Sequence, residues 1–381
     1  MREVSIIGIG QLPIKKKYSD GLIELGARAA RLALQSSGRK NIDALYVGNM
    51  LADELQNQKH LAAFIADEAG WAGIEALEVD AASAAGAAAI RLAYLAVASG
   101  DVDTAIALGV EKMSEGAAAV PALAKALDAH REGSLGANMI TRNAQLMRAY
   151  MAKYDLPEGG FANFALNAHR NSQSNPNALF RKRVSSRKIK SSRVIYDPIQ
   201  LFDSAPVCDG AAAVLMVPTE SIAAEAGFSV RVRASSVATD RFRMEDRADS
   251  LKLSAGARSA SSAFKKAGLI AEDISFFEVH DAFSIMAALQ LEAAGFAAAG
   301  DGWKLAQEKE IFPRGKIPIS TMGGLKARGH PIGATALYQA CEIVLQLSGM
   351  AGKNQIRNAE NGMMQSVGGA ASTMLTHIFS A

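Results

Sequence analysis

The stretch GGLKARGHPIGAT, Gly323–Thr335, holds four glycines, two cationic side chains and a single histidine. The residues before it, Lys316-Ile-Pro-Ile-Ser-Thr321, read as a short buried strand. After it, Leu337, Ala340, Ile343, Val344 and Leu347 recur at helical spacing, which predicts a helix over 333–348. His330 is therefore expected on a glycine-rich turn between a strand and a helix. Glycines there let a backbone take positive φ or approach another group closely. Pro331 suits a first helical turn.

Outward from that turn, strands and helices alternate. Strands are expected at Val4–Ile9, Ile42–Gly48, Ala76–Asp80 and Thr104–Gly109. The intervening helices run from a Ser19 or Asp20 cap to Gln35, over Gln58–Ala69, and over Ala84–Ser99. This order predicts a mostly parallel sheet with helices on its faces. Residues 115–205 are richer in Asn, Arg, Lys and Ser and read as a long excursion with helical pieces at Asn143–Tyr154 and Phe161–Asn175. Strands resume at Ala211–Val217 and Ser229–Ala234. The alternation then repeats: helix Ser250–Ala267, strand Ile274–His280, helix Phe283–Ala294, strand 317–321, helix 333–348, and strands Met363–Ser366 and Ser372–Phe379. The chain divides on this pattern into 1–238 and 239–381.

Composition narrows the function. A chain of 381 residues can build two layered cores. A net charge of +3 is too weak to imply nucleic acid. Cys208 and Cys341, far apart, form neither a disulfide framework nor a zinc spacing, so no metal is expected and a reducing cytoplasm is. The start, MREVSIIGIG, is too short an apolar stretch for a secretion signal. The Ala-rich run near 81–98 is broken by Asp80 and Arg91, so no membrane span is expected. Gly8-x-Gly10 follows a strand, but Pro13 stands where a dinucleotide fingerprint needs its third glycine.

GGLKARGHPIGAT resembles the signature of the thiolase superfamily, roughly GGxKxxGHPxGATG, with Ala336 replacing the final glycine. Val97–Asp103 with Gly109–Ser114, the stretch His169–Pro176, Ser192–Pro198 and Asp209–Ala213 are similar to further family segments. His280-Asp-Ala-Phe283 resembles the HDxF form of sterol-carrier-protein-type and archaeal members. The resemblance implies an α/β fold of two similar βαβαβαββ halves stacked in five layers, αβαβα, with a loop domain inserted in the first half.

It also implies chemistry: acyl transfer between CoA thioesters, with coenzyme A as substrate carrier and no tightly bound cofactor. His330 would activate a nucleophile, and His280 would help hold an enolate oxygen. The nucleophile turn reads Ala82-Ser-Ala-Ala-Gly86, so Ser83 stands where the family carries cysteine. The amides of Ser83 and Gly368 would form an oxyanion site. The second family thiol is also missing: the C-terminal CxG turn reads Ser366-Val-Gly368, and the HDCF position holds Ala282. A serine hydroxyl is a poor substitute for a thiolate, because a helix N-terminus lowers a thiol's pKa far more usefully. Ser83 is thus a replacement, natural or introduced, in an ordinary thiolase. Alternatively it marks an aldolase or lyase that works on a CoA thioester without an acyl-enzyme, or a non-catalytic acyl-CoA-binding scaffold. Cys208 and Cys341 read as packing.

Arg181, Lys182, Arg183 and Arg187 form a basic run that reads either as a solvated surface or as a site for CoA phosphates, with Gly329 and Gly333 as nearby backbone donors. The run lacks interleaved aromatics, which argues against nucleic acid. The resemblance further implies a homodimer or homotetramer joined through edge strands of the first half. Some archaeal-type members also work beside a small OB-fold zinc-ribbon protein and a hydroxymethylglutaryl-CoA synthase.

Overall fold

The computed structural model describes residues 1–115, 119–222 and 227–381. The first part of the chain runs β1 (Val4–Gln11), α1 (Leu22–Ser37), β2 (Ala44–Gly48), α2 (Ala52–Leu55), α3 (Leu61–Glu68), β3 (Glu75–Val79), α4 (Ala85–Ser99) and β4 (Ala105–Lys112). The excursion supplies α5 (Ala119–Ala124), α6 (Met139–Lys153), α7 (Ala162–Asn171), α8 (Ser186–Lys190) and the small hairpin β5 (Val194–Tyr196) and β6 (Ile199–Gln200). The chain returns through β7 (Asp209–Pro218). There follow β8 (Val230–Thr239), α9 (Ser254–Ala267), β9 (Phe276–Glu278), α10 (Ser284–Ala293), α11 (Gly302–Gln307), α12 (Thr335–Leu347), β10 (Asn361–Gly368) and β11 (Thr373–Ser380).

Nine strands form one mixed sheet in the order β3-β2-β4-β7-β1-β8-β11-β10-β9, not the mostly parallel sheet expected: five of its eight neighbouring pairs are antiparallel, because β1, β7, β8 and β11 run against their neighbours. Its two ends repeat each other. β2 pairs in parallel with β3 and β4, and β7 runs antiparallel to β4 and β1. Likewise β9 pairs in parallel with β10 and, through the single bridge Phe277–Ile319, with the segment after α11, while β11 runs antiparallel to β10 and β8. On this order β8 goes with the second half, so the repeat divides between Pro218 and Val230. The halves join by a short antiparallel contact, Ser5 with Arg231 and Ile6 with Val230.

The period-two alternation of each strand separates the cores. On β4, Ile106, Leu108 and Val110 face α1 and α3, while Ala105 and Ala107 face α4 and α12. In the second half, Phe276, Met364 and Leu375 face that same middle layer, and Phe277, Met363 and Met374 face α9 and α10. The result is the five-layer αβαβα stack, with α12 almost wholly buried between two sheet faces and α4 beside it with one face buried. The window Ala82–Ser99 is long and apolar enough to cross a membrane, with a mean hydropathy of 1.4. Half of that window is buried, which accounts for the apolar residues on its inner face.

Two local expectations change. Neither Ser19 nor Asp20 caps α1: Gly21 occupies that position without a side-chain bond, and Asp20 pairs instead with Arg28. The strand expected at 317–321 contributes only the Ile319 bridge, because the backbone turns at Ser320 with φ 48 and at Gly323 with φ 115.

The middle layer closes by backbone packed on backbone. A Cβ at Gly86 in α4, or at Gly109 in β4, would lie 2.4 Å from the Gly333 carbonyl oxygen. Gly109→Ala is therefore expected to destabilise the fold by about 1–3 kcal/mol, as other overpacked cores are. A urea titration would show this as a lower midpoint with an unchanged slope.

Candidate active site

Ser83 lies on the turn between β3 and α4. Ala82, just before it, takes φ 51, a conformation that costs a side-chain-bearing residue energy. The Ala82 N–H donates to Asp80 Oδ1 at 2.7 Å, which holds the turn. Ser83 is half-buried, and no side chain caps the first turn of α4. The unpaired N–H groups and partial positive charge of that helix start therefore lie beside the hydroxyl.

His330 sits where the sequence puts it, on the turn leading into α12. Its backbone N–H donates to Cys208 Sγ at 3.2 Å. Its Nδ1 lies 2.7 Å from Thr335 Oγ1, and that hydroxyl donates its own proton to the Pro331 carbonyl at 3.1 Å. With that hydroxyl turned to Pro331, Thr335 accepts from the ring, an arrangement that favours the proton on Nδ1 and leaves Nε2 as the acceptor. Burial is the main cause that pushes the His330 pKa well below its usual value, helped by His280, Arg328 and Lys326. The ring is a neutral base at neutral pH.

His280 leaves the end of β9. Its backbone is clamped by Gln290, which accepts from the His280 N–H and donates to its carbonyl, both at 2.9 Å. The rings of His280 and His330 meet edge to face with centroids 5.0 Å apart. Burial, then Arg328 and Lys326, lowers the His280 pKa to about 3. Ser83, His280 and His330 all line one cavity, whose other walls are largely apolar and include Met113, Leu146, Ala282, Met286 and Ile332. Arg142, the charged side chain on that wall, is paired with Glu132 at 2.8 Å and Glu245 at 2.6 Å.

A buried polar frame that the sequence analysis did not single out holds these parts. Glu111 accepts from Asn49 Nδ2, from the N–H groups of Met50 and Leu51, and from the Gly333 N–H at 3.0 Å. Burial raises its pKa to about 7 against the pull of these bonds. Asp281 accepts from the Leu325 N–H at 2.7 Å, and Lys326 Nζ donates to the Asp281 carbonyl at 2.5 Å. Arg328 pairs with Glu342 at 2.6 Å with both side chains buried. Asp281, Lys326 and Arg328 lie inside the quoted motifs. Glu111 and Thr335 also lie inside quoted segments, but the pairing of Glu111 with the Gly333 N–H, and of Arg328 with Glu342, is marked by no local pattern.

The other expected site residues fare differently. The Gly368 position abuts the Ser83 turn, since a Cβ there would lie 2.5 Å from the Ala81 carbonyl, although the cavity wall itself is made by Val367 and Gly369. The Gly333 N–H is already bonded to Glu111, so it is not a free donor. Gly329, at φ 118, instead lets the chain press on Ile14 and Cys208. Arg181, Lys182, Arg183 and Arg187 are exposed, and none of them lines the cavity with Ser83. Both cysteines are fully buried away from the cavity wall. Burial pushes the Cys208 thiol up to about 12, and Cys341 donates to the Ala213 carbonyl at 3.4 Å. Ser366 is buried with its hydroxyl unpartnered.

Residues 4–220 match the family model for the thiolase N-terminal domain, and residues 236–381 the one described as thiolase C-terminal domain-like. The chain belongs to the thiolase family. It is 38% identical over 382 residues to an acetyl-CoA acetyltransferase of Methanothermobacter thermautotrophicus, with all of both chains covered. Among solved structures it is similar to an Ltp2-ChsH2(DUF35) aldolase, with a TM-score of 0.87, 19% identity, and 100% of this chain and 98% of that one covered. It is also similar to human mitochondrial 3-ketoacyl-CoA thiolase, with a TM-score of 0.77, 16% identity, and 100% and 99% covered. These two structures speak for the fold alone.

The state of His330 sets the pH behaviour of this thiolase-family site. Its folded pKa is depressed, so the neutral base persists as pH falls through 6.5 and is lost only well below it. The acid limb of thioester turnover is therefore expected below pH 6.5. Thr335→Val removes the acceptor that fixes the tautomer and should lower kcat by about tenfold or more. A pH–rate profile of both proteins checks each statement.

Proposed function

We propose that the protein transfers acyl groups between CoA thioesters, with Ser83 as the acyl acceptor. The observation that carries this reading is a neutral His330, its Nδ1 in contact with Thr335, sharing one apolar cavity with Ser83 and the edge of His280. As Ser83 Oγ attacks the thioester carbonyl, its proton passes to His330 Nε2. The oxyanion is held by amides of the Ser83 turn at the start of α4 and of the abutting Gly368 turn. Collapse expels the CoA thiolate, which takes the proton back from His330 and leaves an acyl ester on Ser83. His280 then holds the enolate oxygen of the second thioester. Among the lining residues the two imidazoles are the neutral bases available for its α-proton. Acetyl-CoA is the proposed substrate, on the similarity to the archaeal acetyltransferase.

One observation favours a second reading. No thiol lines the cavity, and both cysteines are fully buried elsewhere. An oxygen ester on Ser83 lies lower in free energy than a thioester, so returning its acyl group to CoA is uphill. Retro-aldol cleavage of a β-hydroxyacyl-CoA needs no such ester. It requires a base for the hydroxyl proton and a donor for the enolate oxygen, and the histidine pair supplies both.

Intact mass spectrometry after incubation with acetoacetyl-CoA separates the two. Acyl transfer predicts an acetyl adduct on Ser83 that Ser83→Ala lacks. Turnover of a β-hydroxyacyl-CoA retained in Ser83→Ala would instead establish the lyase and overturn the acyltransferase. Ser83→Cys is expected to raise thiolysis at least about tenfold, since a thiolate at a helix start is the stronger nucleophile.

The proposed assembly is a homodimer through β3. That strand is the sheet edge, it is largely exposed, and Leu77 on it is 53% exposed. An open edge with an apolar side chain favours strand-to-strand association. Leu77→Glu should shift the protein from dimer to monomer in sedimentation measurements. A small OB-fold zinc-ribbon partner is proposed on the motif resemblance and on the similarity to the Ltp2-ChsH2(DUF35) aldolase. A cytoplasmic setting is proposed on the two free, buried cysteines.

A further inference from the structure

A second cleft lies away from the catalytic cavity. It is bounded by the C-terminal end of α7, the loop Lys309–Pro318 and the loop Lys353–Asn358. Ser275 lines it at the start of β9, whereas His280 lines the catalytic cavity just past the other end of that strand. Five residues of extended chain separate these by roughly 16 Å. The two sites thus sit at opposite ends of one strand.

Six cations line the cleft: Arg170, Arg183, Lys309, Arg314, Lys353 and Arg357. All six are exposed, and among the described residues no carboxylate lines the cleft with them. None of the six forms an ion pair among the described residues, whereas cations elsewhere, such as Arg2, Arg148 and Lys153, do. Like charges gathered in one concavity repel each other, and low-dielectric walls focus their field outward. The floor beneath them is apolar, with Phe312 and Ile356 buried and Leu166 half-buried, and the Arg170 guanidinium lies 5.8 Å over the Phe312 ring. Lys353 also lines an adjoining groove with Arg181. Part of the basic run read from the sequence therefore has a place in the fold, distant from the acyl-transfer chemistry.

We propose that this cleft binds a nucleoside di- or triphosphate, with its phosphates on the arginine rim and its base against the apolar floor. Four of the six cations are arginines, whose planar forks suit phosphoryl oxygens in bidentate contact. A flat heterocycle with a polyanionic tail matches an apolar floor under a cationic rim, whereas a bare anion would leave the floor unused. The site is separate from the one that takes the acyl-CoA, so its occupancy would report or adjust the state of the enzyme.

Calorimetric titration of the full chain with ATP, at about 0.15 M salt, tests this. Saturable binding is expected, at least about tenfold weaker in Arg314→Glu/Arg357→Glu, while the KM of that variant for acyl-CoA stays unchanged. Those residues are exposed, so the double variant should melt at the same temperature as the parent without ATP. Absence of saturable binding, or binding indifferent to the double substitution, would overturn the proposal. Competitive displacement by desulfo-CoA, with a raised KM for acyl-CoA in the variant, would also overturn it, because the cleft would then be the nucleotide end of the substrate site. Equal affinity for inorganic tripolyphosphate would overturn the role given to the floor.

Discussion

The Gly333 residue is the point on which the rest of the structure closes. Its carbonyl is pressed between α4 and β4 at positions where only a hydrogen fits, and its N–H is held by the buried Glu111 carboxylate. That single residue joins a helix of the first half, a strand of the first half and the turn that carries His330. If it moved by an ångström, the serine turn and the imidazole would no longer share a wall.

The ionic frame around it exists for placement. A buried pair such as Arg328 with Glu342 gives up hydration for both charges, and removing one partner typically costs more than the pair ever contributed. What the frame provides is direction. Asp281 fixes the backbone at Leu325, Thr335 fixes one nitrogen of His330, and Gln290 fixes the peptide groups of His280. Rigid supports of this kind let two uncharged imidazoles touch in an apolar cavity.

Much of the fold could be read from residue order. The alternation of strands and helices and the glycine-rich turn before α12 both appear where periodicity and glycine spacing put them, because both are local properties. The two histidines and Ser83 were likewise marked by short motifs. What escaped was non-local. Glu111 looks like any strand-end carboxylate until the Gly333 amide arrives from more than two hundred residues away. The arginine run near 181–187 shows its charge but not its position, so its separation from the catalytic cavity depends on how the excursion folds back. The lone bridge at Ile319 replaces a full strand because positive φ at Ser320 and Gly323 bends the chain, a choice invisible in the apolar letters that precede it.

The repeated strand order has a geometric corollary. In each half one helix enters the shared middle layer after the same sequence of pairings, so α4 and α12 are counterparts related by an approximate dyad that passes near the β1–β8 junction. Ser83 precedes one counterpart and His330 the other. Ser83 and His330 thus stand at matching addresses in two copies of one unit. Neither copy lines the shared cavity alone, and its wall is complete only where the two copies meet.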